Sequence, residues 1–324
     1  MSRPLVGAGR FPAPSCGLPY LLFRTTPRDR WLLAMIAEHR VLTAEQITTL
    51  AYTSLRSANR RLATLTGLRL LERFRTNRGV DGAIPYHYIL GPAGALLVAA
   101  AHDLTPKEFH YDRARLLRQA TRADLPHTDG CNTLMVQLAA VHRHDPAGRL
   151  LAWWDQDSCT RVWGDAIRPD TYGVYQHTTA TDSTVCSFFL EYDTGSEPLG
   201  RVTAKVRGYR RYGENYTGHR PILIHLHSVQ REEHLHNALA DLAARTDPAA
   251  RCPVPIATSS ASPDRVHTAV WRPAGIRQRL ALTELPALFE TCGYRMLSAV
   301  LADLAVTAPP PTAPQPTRPL GDVG

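Results

Sequence analysis

The sequence predicts an α/β protein, α+β overall, built as two units in series. Residues 29 to 66 repeat an apolar spacing of three and four, and two short strand-like runs follow before residue 91. From residue 150 to residue 258, apolar runs of strand length alternate with helical stretches, the pattern of a sheet covered by helices. At 324 residues the chain is also longer than one hydrophobic core usually serves.

In the first unit, Trp31, Leu32, Met35 and Ile36 place one apolar face on a helix from Asp29 to Arg40. Thr43 caps a second, short helix, and Gln46 three residues later completes a capping box. Ser54 caps a third helix running to about Thr66, with Ala58, Leu62 and Leu65 facing inward and Gly67 ending it. Leu68 to Phe74 and Tyr86 to Leu90 read as strands around a turn-rich loop containing Asn77, Gly79, Asp81 and Gly82. Three helices followed by a β-hairpin is the order of a winged helix, closed by an apolar helix over residues 92 to 102. The unit therefore spans residues 27 to 102, with a linker over 103 to 123.

The second unit, residues 124 to 305, opens with a long helix near Asp124 to His144. Strands follow near Leu150 to Trp154, Tyr172 to Gln176, Val185 to Asp193, Ile222 to His227 and Pro255 to Thr258. Helices are expected near Pro198 to Tyr212 and Glu232 to Arg245. Residues 1 to 26 read as a disordered leader and the proline-rich residues 306 to 324 as a disordered tail. The six cysteines lack a CxxC spacing, which argues against a zinc ribbon or a disulfide framework and fits a reducing cytoplasm. No stretch reaches the roughly 20 apolar residues that span a bilayer, so no membrane partner is expected.

Charge points to a polyanion. The net charge is +8, and of 37 basic residues only Lys107 and Lys205 are lysine. Between residues 54 and 78 the cations Arg56, Arg60, Arg61, Arg69, Arg73, Arg75 and Arg78 face a single acid, Glu72. A helix in the major groove offers Arg to guanine and Asn to adenine, which makes Arg56, Asn59 and Arg60 the base-reading candidates, with Arg61 beside them. Arg73, Arg75 and Arg78 on the hairpin are placed for phosphates or the minor groove. Double-stranded DNA is the expected partner. The alternative is a protein-contact module whose arginines only solvate a surface.

A second constellation lies in the α/β unit: Asp170 after Arg168 and Pro169, then Glu191 and Asp193, then Lys205. Residues two apart on a strand share a face, so Glu191 and Asp193 point the same way. Together with Asp170 they form a set of hard oxygens suited to Mg²⁺ or Mn²⁺ holding a phosphate, and Lys205 is placed to stabilise the developing charge. The competing reading puts Asp170 in a turn, pairs Glu191 and Asp193 with Arg201 or Arg207, and leaves Lys205 exposed.

Several stretches taken in order carry a resemblance. In the first unit they are Arg28-Asp29-Arg30, Leu42-Thr43-Ala44-Glu45-Gln46-Ile47, Arg60-Arg61-Leu62, Gly67-Leu68 and Tyr86-His87-Tyr88-Ile89-Leu90. In the second they are Ile167-Arg168-Pro169-Asp170, Phe189 to Gly195, and Lys205-Val206-Arg207-Gly208-Tyr209. The chain resembles the replication-relaxation family over roughly residues 28 to 230, which implies a role in plasmid or mobile-element replication and DNA relaxation. The second half also resembles the PD-(D/E)xK core of restriction endonucleases through Pro169-Asp170 and Glu191, which implies metal-dependent phosphodiester cleavage, here as a nickase. Asp193 stands where that pattern has lysine, so the lysine must come from Lys205 on the following helix. The alternative is a non-catalytic replication initiator or transcriptional regulator with an inactive nuclease-like domain. A homodimer or proteins of replication and conjugation are the further partners this implies.

Weaker signals are the pairs His142 and His144, His225 and His227, and His234 and His236, of which only the strand pair shares a face. His127, opening the helix before the sheet, is a candidate to approach the cleft of Asp170, the simpler reading of a helix-start histidine being structural. Tyr192, Tyr209 and Tyr212 are nucleophile candidates whose simpler role is core packing.

Overall fold

The computed structural model describes residues 17–75, 85–120, 124–215, 218–246, 255–297 and 308–315. The first unit contains α1 (Leu18–Arg24), α2 (Pro27–His39), β1 (Leu42–Thr43), α3 (Ala44–Ala51), α4 (Leu55–Gly67), β2 (Leu71–Phe74), β3 (His87–Leu90) and α5 (Pro92–Ala100). Capping fixes the helix starts. Thr26 and Asp29 form a capping box on α2, Thr43 and Gln46 form the expected one on α3, and Ser54 accepts from the Ser57 N–H at the start of α4. Strands β2 and β3 pair antiparallel, with Arg73 opposite Tyr88 and Phe74 opposite His87, and β1 adds on the far side of β3. Gly91 and Gly94 let α5 sit against the backbone of Arg69 and Leu70, where a Cβ would come within 2.3 Å and 2.2 Å of a carbonyl oxygen.

Two expectations about the ends need correction. Residues 18 to 24, read as part of a disordered leader, form α1, which buries Leu21 in the core shared with α5. Residues 308 to 315, read as part of a disordered tail, lie against α2: the Trp31 indole N–H donates to the Pro310 carbonyl at 2.7 Å and Arg28 donates to the Pro314 carbonyl at 3.3 Å. A proline-rich chain lacks N–H donors, but its carbonyls still accept, and the buried Trp31 indole needs an acceptor. Helix α6 (Arg113–Ala120) occupies the second half of the expected linker, and its Arg113 pairs with Glu72 of β2 at 2.6 Å.

The second unit runs α7 (Leu125–Ala140), β4 (Gly148–Trp154), α8 (Gln156–Trp163), β5 (Thr171–Thr178), β6 (Ser183–Asp193), α9 (Leu199–Asn215), β7 (Ile222–Leu226), α10 (Val229–Thr246), β8 (Ile256–Ser259), β9 (Arg272–Pro273) and α11 (Leu285–Thr291). The six strands form one mixed sheet in sequential order. Strands β4, β5 and β6 are antiparallel neighbours; β6, β7 and β8 are parallel, connected through α9 and α10; β9 returns antiparallel. Phe188 and Leu190 of β6 pack with Leu134, Met135 and Leu138 of α7 on one face. Phe189 packs with Trp163 of α8 and with Val202, Val206 and Tyr209 of α9 on the other. Alternation along β6 therefore turns Glu191 and Asp193 toward the α9 and α10 side and Tyr192 toward α7.

The two units share a core. Apolar residues of α2 to α5 belong to the same buried cluster as those of α7, β4 and β6. Polar contacts reinforce the seam. Gln46 donates to the Asp129 carbonyl and to Thr133 Oγ1, Asn132 donates to the Val41 carbonyl, and His39 stacks on Trp153 with ring centroids 3.7 Å apart. Glu38 accepts from Ser158 Oγ at 2.5 Å, and Arg40 pairs with Asp157 at 2.6 Å. Among the described residues, no helix is long and apolar enough to cross a membrane.

Candidate functional site

Asp170 ends the loop that enters β5, beside the C-terminal end of its neighbour β6, which supplies Glu191. Antiparallel pairing of β5 and β6 brings these two positions together although 21 residues separate them. Helix α9 crosses above and contributes Lys205 and Tyr209, four apart and therefore on one face. Lys205 Nζ pairs with Glu191 Oε2 and lies 3.9 Å from Asp170 Oδ1. Tyr209 donates its hydroxyl to Glu191 Oε1 at 2.6 Å. From the opposite face, His127 Nε2 meets Asp170 Oδ2 at 2.9 Å, and the Tyr192 backbone N–H donates to the same oxygen at 2.9 Å.

Both carboxylates are buried, and the charges around them decide their ionisation. Burial alone would raise Asp170, but the His127 hydrogen bond, Lys205 and the Tyr192 N–H outweigh it and hold the carboxyl below its usual range. Glu191 is pushed up to about 7 by burial and by the negative charge of Asp170, against the opposing pull of Lys205 and Tyr209. Lys205 is held above the ordinary ammonium value, because the two carboxylates outweigh its own partial burial. Burial and Glu191 raise the Tyr209 hydroxyl well above the phenolic range, so it serves as a donor and not as a ready nucleophile. The arrangement is a pair of buried carboxyls beneath a half-exposed ammonium, with ionisation favoured at Asp170 and opposed at Glu191.

Asp193 does not join this group. It lies on the same face as Glu191 but two residues further on, where Arg231 of α10 takes both of its carboxylate oxygens. It also accepts from the Gly195 N–H at 2.9 Å, in a turn that Gly195 enters at φ 80°. A carboxylate so engaged anchors the β6–α9 turn, and Asp193 stands with Arg231 rather than beside Asp170 and Glu191. Arg231 carried no sequence signal, lying 38 residues away on another helix. Tyr209 was legible as a nucleophile candidate or a packing residue, not as the donor to Glu191 that it is; its spacing of four from Lys205 was the available clue. Cys131 was not singled out, although it stands four residues from His127 on α7 and its Sγ lies within 4.8 Å of the His127 and Asp170 ligand atoms. Among the described residues, none of the His-x-His pairs joins a group of three ligand-bearing side chains. His225 donates to the Ala261 carbonyl and stacks on Tyr192.

On the first unit, Arg56, Asn59 and Arg60 stand exposed on one side of α4, opposite the buried Ala58, Leu62 and Leu65. Arg73 and Arg75 are exposed on the hairpin, and their guanidiniums lie 4.4 Å and 3.8 Å from the centre of the Tyr86 ring. Arg61 differs from these in its contacts. It turns inward and grips the buried Asp29 through Nε at 3.0 Å and Nη2 at 2.7 Å, and also donates to the Arg24 carbonyl. Arg78 lies outside the described residues.

Comparison with curated proteins and with solved structures finds no match. A family model described as replication-relaxation matches residues 33–222, from α2 of the first unit through the Asp170, Glu191 and Lys205 positions to the start of β7. The match covers more than half of the chain and includes both units, so the chain belongs to the replication-relaxation family.

Proposed function

We propose that this protein binds double-stranded DNA through a winged helix formed by α2 to β3, and that its second unit is a PD-(D/E)xK-like core that nicks the bound DNA during plasmid or mobile-element replication. The observation that carries the reading is the convergence of Asp170, Glu191 and Lys205 at one end of the sheet, from a loop, a strand and a helix. The family membership supports the setting, replication or relaxation of such DNA. The exposed Arg56, Asn59 and Arg60 on α4 support DNA as the partner.

The residues fit a divalent cation in a two-carboxylate form. Asp170 Oδ1 lies 3.9 Å from the Lys205 ammonium, and Glu191 Oε2 would become a second oxygen ligand once Lys205 withdraws along its exposed stem. Mg²⁺ or Mn²⁺ held there by Asp170 and Glu191 would supply electrostatic stabilisation to a phosphoryl oxygen. Lys205, released from Glu191, neutralises charge that develops on the phosphate, and Tyr209 keeps Glu191 oriented. His127 and the Tyr192 N–H fix the rotamer of Asp170 through its other oxygen.

A second reading, a DNA-binding initiator or regulator without cleavage, is favoured by one observation. Lys205 bridges the two carboxylates from the position a cation would occupy, as in a purely structural ion cluster. Incubation of supercoiled replicon plasmid with Mg²⁺ or Mn²⁺ separates the two. Wild-type protein is expected to yield open circles, with the rate falling about 10²-fold or more for Asp170→Asn and for Lys205→Ala. Retention of supercoiled DNA at saturating binding selects the non-catalytic reading.

A further inference from the structure

Asp170 presents its two oxygens to different sides of the sheet. Oδ1 faces Lys205 of α9, whereas Oδ2 faces α7, where His127 and Cys131 lie one helical turn apart. We propose that His127 Nε2, Cys131 Sγ and Asp170 Oδ2 form a binding site for a thiophilic divalent transition metal, Zn²⁺ or Fe²⁺ in class, separate from the Glu191 and Lys205 side of the cluster. The three ligand atoms lie within 4.8 Å of one another, a span that a tetrahedral ion closes with small side-chain rotations.

Three features of the surroundings support the site. The first concerns the cysteines: Cys159 and Cys186 are fully buried inside apolar clusters, whereas the buried Cys131, 5% exposed, belongs to none of them and faces the Asp170 side of the sheet. A thiol kept beside a histidine and a carboxylate has the chemistry of a ligand. The second is how closely α7 is seated. At Gly130, a Cβ would lie 2.2 Å from the Tyr192 ring, so the helix carries its His127 and Cys131 turn hard against the end of β6. The third is charge. A thiolate, a carboxylate and a neutral imidazole balance a divalent ion, so the filled site is itself neutral within a buried region. Loading releases the Cys131 thiol proton to solvent; the proton on His127 Nε2 moves to Nδ1, or leaves to solvent when the ring is charged, so the His127–Asp170 hydrogen bond is exchanged for two bonds to the ion.

Three protein ligands leave one tetrahedral position open. The His127 side chain is 32% exposed, so that position faces the solvent side, where a water or a phosphate oxygen completes the sphere. Mg²⁺ is disfavoured here because it takes oxygen and not sulfur.

The test uses the full chain, stripped with chelator and titrated with Co²⁺ in the absence of DNA, so its outcome does not depend on whether the protein cleaves. Wild type should bind one equivalent and develop thiolate-to-cobalt charge-transfer absorption. Cys131→Ser should lose that absorption, His127→Gln should weaken cobalt binding at least tenfold, and Lys205→Ala should retain both. Zn²⁺ should raise the melting temperature of wild type but not of His127→Gln, a variant at a part-exposed position that keeps the fold testable if Cys131→Ser does not accumulate. Absence of the charge-transfer band in wild type, or its persistence in Cys131→Ser, overturns the site.

Discussion

Arg56, Arg60 and Arg61 carry the same charge on one helix, and helical phase decides what each does. Arg61 points to Asp29, whose carboxylate also caps α2, so Arg61→Ala leaves a buried acid without its guanidinium. The variant should lose about 3 kcal/mol of stability in urea melts while its folded fraction keeps wild-type DNA affinity. Arg56→Ala and Arg60→Ala should do the reverse, keeping the melt and weakening DNA binding by about 1–3 kcal/mol each. Glu38 gives a pH prediction at the seam between the units. Burial and the nearby Asp155 push it up to about 7, so the folded state holds a proton that the unfolded chain has released. Its contribution is fully present below the unfolded value of 4.5 and is lost as pH rises toward 7. Glu38→Gln should therefore stabilise the protein at pH 8 by about 1–3 kcal/mol relative to its effect at pH 4, read from melts at both pH values. An equal effect at the two pH values would contradict this account of Glu38.

At the scale of elements, α7 ties the molecule together: Asp129 meets His87 of β3 and accepts from Gln46 of α3, while His127, half a turn away, meets Asp170. Gly130→Ala drives a Cβ into the Tyr192 ring and should destabilise the protein by about 1–3 kcal/mol, visible as a lower melting temperature, with the His127 contact displaced. The helices of the first unit were legible because Thr43–Gln46 and Ser54 announce their starts locally and Leu62 and Leu65 mark the inward face. The strands β5 and β6 were legible as apolar runs for the same reason. What could not be read were contacts set by tertiary approach. Strand β1 is two residues long and exists only because β3 lies beside it, and α8 depends on Asp155 as its cap. Asp193 looked equivalent to Glu191 because strand alternation puts both on one face; the difference is Arg231, delivered by a helix far along the chain. Asp170, Glu191 and Lys205 were legible as a group because each sits at the end of an element or on the crossover immediately following, where a sheet gathers side chains.

At the scale of the whole molecule, the shared core and the α7 contacts hold the basic face of α4 and the hairpin in a fixed relation to the Asp170 cluster. On the proposed function, a DNA duplex held on the first unit would meet the second in one register, and the net charge of +8 would make that grip electrostatic. Affinity should fall linearly in log–log plots against salt, with the slope reduced by about one for each arginine removed that contacts a phosphate, Arg73 and Arg75 among them. The most direct measurement is to map the position of metal-dependent nicks on supercoiled replicon DNA beside the footprint of the bound protein. The account predicts one nick at a fixed distance from the protected site, scattered by Arg56→Ala with Arg60→Ala and abolished by Asp170→Asn. A footprint with no nick, or nicks that persist unchanged in Asp170→Asn, would contradict it.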